Sequence, residues 1–111
     1  MWRLSITIEP MKTKLLNPVH PGEILLEDFM KPLGLSQYRV AKDIGVAPLR
    51  ISEIVRAKRG ITADTAMRLG RYFRTTPGIW MRLQAQYDLE VAERESGEEI
   101  LRSVPECSVS A

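Results

Sequence analysis

The chain has one cysteine, Cys107, and no long apolar run among its 111 residues. A single cysteine excludes an internal disulfide and is typical of proteins in the reducing cytoplasm. No apolar run approaches the ~20 residues that a membrane-spanning helix needs. Residues 1–10 contain one arginine and no long apolar core, unlike a secretory signal peptide. The sequence therefore predicts a cytoplasmic protein with no membrane partner.

The residues that usually carry catalysis are also sparse. The sequence has no His, Cys, Asp and Glu cluster with metal-ligand spacing, no nucleophile beside a base and no glycine-rich phosphate loop. The only histidine, His20, lies beside prolines, where a structural role at the start of a helix is commoner than catalysis. Cys107 has no basic cluster near it and is expected to be incidental. We therefore expect a protein that is not an enzyme and that needs neither a metal nor a cofactor.

Charge is distributed unevenly along the chain. The overall net charge is +2, yet the segment after Leu83 has seven acidic residues against two arginines and carries −5, so that the remainder carries +7. A basic body suits a polyanionic partner, and the acidic end should face elsewhere. At this length the chain accommodates one small domain with extensions.

Residues 35–60 predict two short helices joined by one turn. Ser36 is a suitable N-cap, Gly45 supplies the left-handed residue that ends the first helix, and Pro48 suits the first turn of the second. Ala41 is small enough to let the two helices approach. A packed helical pair without a binding role shares some of these features, but the full set, with a basic segment at its end, is typical of a helix-turn-helix whose second helix enters the DNA major groove.

The second of these helices has an apolar side at Ile51 and Ile54, which leaves the opposite side for DNA. We predict that Leu49, Arg50 and Glu53 read base edges, through a thymine methyl, a guanine and a cytosine respectively. We predict phosphate contacts from the start of the preceding helix and from the segment after the second helix. The predicted phosphate-contacting residues are Ser36, Gln37, Arg39, Arg56, Lys58 and Arg59.

Three further helices complete an all-α, five-helix prediction. The first starts at His20–Pro21 and is expected to end before Pro32. Another follows the cap Thr62 as far as Phe73, with Met67 on its packing side. The last starts after Thr76 and is expected to end near Glu93. Its apolar stripe is longer than a small core needs, so we predict a dimer interface there. The interface residues are Trp80, Leu83, Tyr87 and Val91.

The two ends of the chain have different patterns. Residues 1–10 alternate apolar and polar side chains, which favours a short strand or, alternatively, a frayed leader, and Met11 is a second candidate start. Residues from 96 onward lose periodicity and read as a flexible acidic tail. The predicted organisation is an extension at 1–15, a DNA-binding domain with its dimerisation helix at 16–94 and a tail at 95–111.

Four long runs resemble one family. They are NPVHPGEIL, KPLGLSQYRVAKDIGV, RISEIVRAKRGITADTAMRLGRYF and TTPGIWMRLQAQYDLE. Through them residues 16–90 are similar to the HigA antitoxins, sometimes labelled VapI, of the Xre-type, lambda-repressor-like helix-turn-helix class. Ala47 departs from the Ser or Thr cap common in that class, and Leu49 is apolar where many relatives are polar or basic.

The resemblance implies a homodimer that binds a palindromic operator over its own operon and neutralises a HigB-like toxin, an mRNA-cleaving ribonuclease of the RelE type. A stand-alone phage-type repressor without a toxin partner is the alternative. Because an RNA-binding toxin should be basic, we expect it to choose an acidic surface. One candidate surface is the first helix with the N-terminal extension, through Glu23, Glu27 and Asp28. The other is the acidic chain end.

Overall fold

The structure, a computed structural model, describes residues 17–108, which contain five helices and no strand. Helix α1 is α-helical at Pro21–Ile24, π-helical at Leu25–Met30 and α-helical again at Lys31–Leu33. The others are α2 (Gln37–Ile44), α3 (Pro48–Val55), α4 (Ala63–Phe73) and α5 (Pro77–Ser103). This confirms the all-α, five-helix prediction. The predicted strand in residues 1–10 lies outside the described residues.

Helix α1 starts where expected and ends later. The His20 side chain caps it by accepting a hydrogen bond from the Gly22 N–H at 2.9 Å, so the predicted structural role of His20 is confirmed. The prediction that α1 ends before Pro32 is wrong. Proline lacks an N–H, and its ring clashes with the carbonyl four residues earlier in a regular helix. The preceding π-helical turn, in which the Lys31 N–H reaches Leu26 O, changes that spacing and lets the helix reach Leu33.

The helix-turn-helix forms as the local sequence predicts. Ser36 Oγ accepts the Arg39 N–H at 3.0 Å and starts α2, and Gly45 ends it with a φ of 80°. Pro48 occupies the first turn of α3. Ala47, at the N-cap of α3, has no side-chain acceptor and makes no cap hydrogen bond. Helix α3 therefore starts without the capping bond that α2 has.

One apolar core holds α3 in place. Ala41 of α2, Ile51 and Ile54 of α3, and Trp80 of α5 are fully buried in it. Trp80 donates its indole N–H to Thr75 Oγ1 at 2.9 Å. In α4 the buried residues are Thr65, Ala66, Leu69 and Gly70, whereas Met67 is 63% exposed, so placing Met67 on the packing side was wrong. Helical spacing shows which residues of a helix share a face, but how much of that face is buried depends on which other helices pack against it.

Helix α5 extends ten residues past the predicted end near Glu93. The segment predicted as a tail from residue 95 is therefore helical as far as Ser103, and in the described part of that segment only residues 104–108 lie outside the helix. The prediction relied on the loss of apolar periodicity, which reports packing against a core and not helix formation. Gly97 costs a helix only ~1 kcal/mol, and Arg102 pairs with Glu99 at 2.8 Å in the last turns.

Candidate nucleic-acid interface

Helix α3 buries Ile51 and Ile54 and presents its other side to solvent. Of the three predicted base-reading residues, Leu49 is 57% exposed at the start of the helix. Arg50 and Glu53 are half-buried because each makes an ion pair beside the helix. The surface offers an apolar group, a guanidinium and a carboxylate within two turns, which are the chemical types that contact base edges in the major groove.

Arg50 lies against the start of α4. Its Nη1 is 3.4 Å from Asp64 Oδ2, the same oxygen that accepts from Arg68 Nε at 2.8 Å. Arg68 Nη1 in turn donates to Ile44 O, at the end of α2, at 2.8 Å. The hydrogen bond from Arg68 is the main cause that lowers the pKa of Asp64 below its usual value. Asp64 is thus a carboxylate between two arginines.

Glu53 is turned toward the segment after α3. Its Oε1 accepts from Arg59 Nε at 2.8 Å, and its backbone carbonyl accepts the Lys58 N–H at 2.7 Å. Arg56 Nε bonds to Ser52 O at 3.3 Å, and Ala57 turns the chain with a φ of 59°. Glu53 therefore orients one of the predicted phosphate contacts. Its predicted contact with cytosine stays a prediction.

The start of α2 holds the remaining predicted phosphate contacts. Ser36 and Arg39 are exposed, and Gln37 is half-buried. Arg39 Nε donates to Asp43 Oδ2 at 2.7 Å, and the Tyr72 hydroxyl of α4 donates to the same oxygen. The bond from Tyr72, followed by that from Arg39, lowers the pKa of Asp43, while the carboxylate raises the pKa of Tyr72. Arg39, Arg50 and Arg59 are thus each paired with a carboxylate of the same protomer.

Sequence reasoning missed four residues of this arrangement, namely Asp43, Asp64, Arg68 and Tyr72. Two pairs, Arg39–Asp43 and Asp64–Arg68, have the i,i+4 spacing that joins opposite charges on one helix face, so the sequence did contain that signal. The link from Arg50 to Asp64 crosses 14 residues and depends on how α3 packs beside α4. Local pattern could not have found it.

Three of the four predicted dimer residues remain candidates. Trp80 is fully buried inside the protomer, so its placement in a dimer interface was wrong. The periodicity of α5 could not separate a core residue from an interface residue on the same stripe. Leu83, Tyr87 and Val91 are half-buried. The Tyr87 ring packs edge-on against His20, with 4.8 Å between ring centroids.

The acidic residues of α1 lie on the surface. Glu23, Glu27 and Asp28 are exposed, and Glu27 pairs with Lys31 at 2.9 Å. The acidic end of α5 is exposed as well and carries large apolar side chains at Leu89, Ile100 and Leu101. No helix within residues 17–108 has the length and hydropathy to cross a membrane.

Comparisons with known proteins agree with this geometry. A helix-turn-helix family matches residues 26–80. Virulence-associated protein I of Dichelobacter nodosus is 54% identical over 77 residues, which cover 69% of this chain and 71% of that protein. The antitoxin HigA of Pseudomonas aeruginosa, solved with the higBA promoter, is 41% identical with a TM-score of 0.78, over 79% of this chain and 96% of that one. The antitoxin GraA in complex with its operator is 41% identical with a TM-score of 0.80, over 85% and 95% of the two chains.

Proposed function

The chain belongs to the HigA family of DNA-binding antitoxins within the Xre-type helix-turn-helix class, and we propose that it represses its own operon as a homodimer and neutralises a HigB-like ribonuclease toxin. The observation that carries the DNA-binding half is the solvent-facing side of α3, where Leu49 and Arg50 project opposite the buried Ile51 and Ile54. Two relatives of the same fold were solved with promoter or operator DNA.

In this proposal Leu49, Arg50 and Glu53 face base edges, and Arg50 donates two hydrogen bonds to a guanine. The residues that meet phosphate are Ser36, Gln37, Arg39, Arg56, Lys58 and Arg59. Phosphate contacts supply affinity for any DNA, and base contacts supply preference for the operator.

Replacing Arg50 with Ala tests this assignment. Binding to the operator should weaken by ~1–3 kcal/mol, and binding to random DNA of equal length should change much less. Lys58→Ala is the matched control, because loss of a phosphate contact should weaken both DNAs alike. Fluorescence anisotropy at a fixed salt concentration measures all four affinities. Equal losses for Arg50→Ala on the two DNAs would reassign Arg50 to a phosphate contact.

A two-fold dimer is the usual way to bind a palindrome, with recognition helices about 34 Å apart. We assign the interface to Leu83, Tyr87 and Val91 on α5. Because Tyr87 also packs on His20 within the protomer, Val91→Glu is the cleaner substitution. It should raise the dimer dissociation constant in analytical ultracentrifugation, whereas Leu89→Glu, at an exposed site two residues away, should not. A Val91→Glu chain that dimerises as tightly as the wild type would move the interface elsewhere.

The toxin should bind an acidic surface away from α3, because a ribonuclease that holds RNA is itself expected to be basic. The first candidate is α1 with residues 1–10, through Glu23, Glu27 and Asp28. The second is the acidic end of α5. Glu23→Lys with Asp28→Lys, truncation after Ser96, and removal of residues 1–10 separate these surfaces when toxin binding is followed by calorimetry. All three variants should keep operator binding. If the chain binds its operator but binds no toxin encoded beside its own reading frame, it is instead a stand-alone repressor.

A further inference from the structure

Asp64 at the start of α4 is fixed to the DNA-binding unit itself. Its Oδ2 accepts from Arg68 Nε at 2.8 Å, and Arg68 Nη1 donates to Ile44 O at 2.8 Å and lies 3.5 Å from Gly45 O. These carbonyls end α2 and begin the turn. The Arg68 guanidinium therefore links the Asp64 carboxylate to the backbone of the helix-turn-helix. Asp64 is itself a residue of α4, so the carboxylate is held from both sides.

The position of α4 is itself set by the core. Thr65, Ala66, Leu69 and Gly70 are buried, so the turn that carries Asp64 and Arg68 cannot shift without disturbing that packing. A carboxylate on a fixed helix can hold a neighbouring side chain in one conformation.

That neighbouring side chain is Arg50. Its Nη1 lies 3.4 Å from Asp64 Oδ2, and 34% of its side chain is exposed, compared with 62% for Arg39 and 46% for Arg59. A long side chain loses rotamer freedom when it docks on a base, and a side chain that is already held loses less. The ion pair occupies one of the five guanidinium N–H groups, so donors remain for a guanine.

We propose that Asp64, held by Arg68, is a positioning residue that presets Arg50 for the operator and thereby contributes to sequence specificity. This inference rests on the proposed function of Arg50 as a base reader. Asp64 touches no base in this account. It acts only by restricting Arg50, so its effect should vanish when Arg50 is absent.

The test is the ratio of operator affinity to random-DNA affinity for Asp64→Asn. Removing a negative charge near DNA should tighten both complexes by a similar factor, and that factor cancels in the ratio. Loss of the preset Arg50 conformation weakens the operator complex alone. We expect the ratio to fall about two- to fivefold, the range for loss of a partly exposed ion pair. Asp64→Ser, which also suits the first turn of a helix, should give the same result.

Two controls isolate the mechanism. Glu95→Gln removes an exposed carboxylate on α5 and should leave the ratio unchanged. In an Arg50→Ala background, Asp64→Asn should also leave the ratio unchanged, because the side chain that it positions is gone. Circular dichroism melting of each variant checks that the fold persists.

Three results would overturn the inference. They are an unchanged ratio for Asp64→Asn, a raised ratio, which would mean that Asp64 withholds Arg50 from DNA, and an equal effect with and without Arg50. If Arg50→Ala alone leaves the ratio unchanged, the proposed base-reading role fails first. If Arg50→Ala lowers the ratio and Asp64→Asn does not, only the positioning role fails.

Discussion

Gly22 lies at a close contact between α1 and α3. A Cβ at this position would lie 1.8 Å from Ile54 O, 2.6 Å from Ile54 C and 3.0 Å from Val55 Cα. All three are backbone atoms, so no side chain can rotate away. Because carbon atoms in ordinary contact are about 3.5–4.0 Å apart, Gly22→Ala must push α1 and the end of α3 apart by about 1.5 Å or more.

The loss of unfolding free energy caused by Gly22→Ala can be estimated from overpacking substitutions in other proteins. Overpacking a core with one methyl group typically costs ~1–3 kcal/mol when side chains can adjust. Here the backbone must move, and the Gly22 N–H also bonds to His20 Nδ1, so we expect a loss of ~3 kcal/mol or more. In a domain of this size each kcal/mol shifts the melting midpoint by about 4–8 °C. Gly22→Ala should therefore melt at least ~12 °C below the wild type and bind the operator more weakly.

Circular dichroism melting at 222 nm measures the midpoint, with Gly97→Ala as the matched control. A Cβ at Gly97 meets only Glu93 Cβ, at 3.8 Å. Alanine is better than glycine in a helix by ~1 kcal/mol at most, so this control should melt at or slightly above the wild-type midpoint. If Gly22→Ala melts within 2 °C of the wild type, as a few tenths of a kcal/mol would allow, the close packing of α1 on α3 is wrong.

Three further outcomes are expected. Ala47→Ser should supply the missing cap of α3 and raise the unfolding free energy by ~1 kcal/mol in a urea titration; no gain would mean that the N–H groups of α3 are satisfied otherwise. Ala57→Gly, at a φ of 59°, should stabilise by up to ~1 kcal/mol because glycine is not strained there, and a loss would contradict the left-handed turn. Burial lowers the pKa of His20 against the opposing charge of Asp88, and the cap needs an unprotonated Nδ1. The contribution of His20 to the unfolding free energy should therefore be constant above the unfolded-state pKa of 6.5 and should decrease as the pH falls from 6.5 toward the lower folded-state pKa. His20→Asn keeps a cap acceptor and should lose this pH dependence.

The helix-turn-helix, α2 and α3, was predictable because its sequence signals are local. Ser36, Gly45 and Pro48 each fix the backbone at their own position, and the structure has a cap, a left-handed residue and a first-turn proline there. The end of α5 was not predictable in the same way. Its last turns are stabilised by helix propensity and an i,i+3 ion pair, and no core packs against them. Apolar periodicity cannot predict a helix that is not packed against a core.

The limits of the site prediction have the same origin. Periodicity placed Trp80 and Leu83 on one stripe, and only tertiary packing shows that Trp80 is buried within the protomer. Composition and spacing identified Arg50 as a solvent-facing guanidinium on α3. The neighbour that holds it, Asp64, is brought there by the packing of α4 and is separated from it by 14 residues. The contacts between helices were therefore the feature of the site that could not be predicted from the sequence.

Hydroxyl-radical footprinting of the DNA upstream of the chain's own reading frame tests the central claim most directly. A dimer that inserts two copies of α3 should protect two half-sites of a palindrome whose centres are about one helical turn, or ~34 Å, apart. Arg50→Ala should lose that protection at the same protein concentration, with its circular dichroism unchanged. Uniform weak protection along the fragment, or a footprint that Arg50→Ala leaves intact, would contradict sequence-specific reading of an operator by α3.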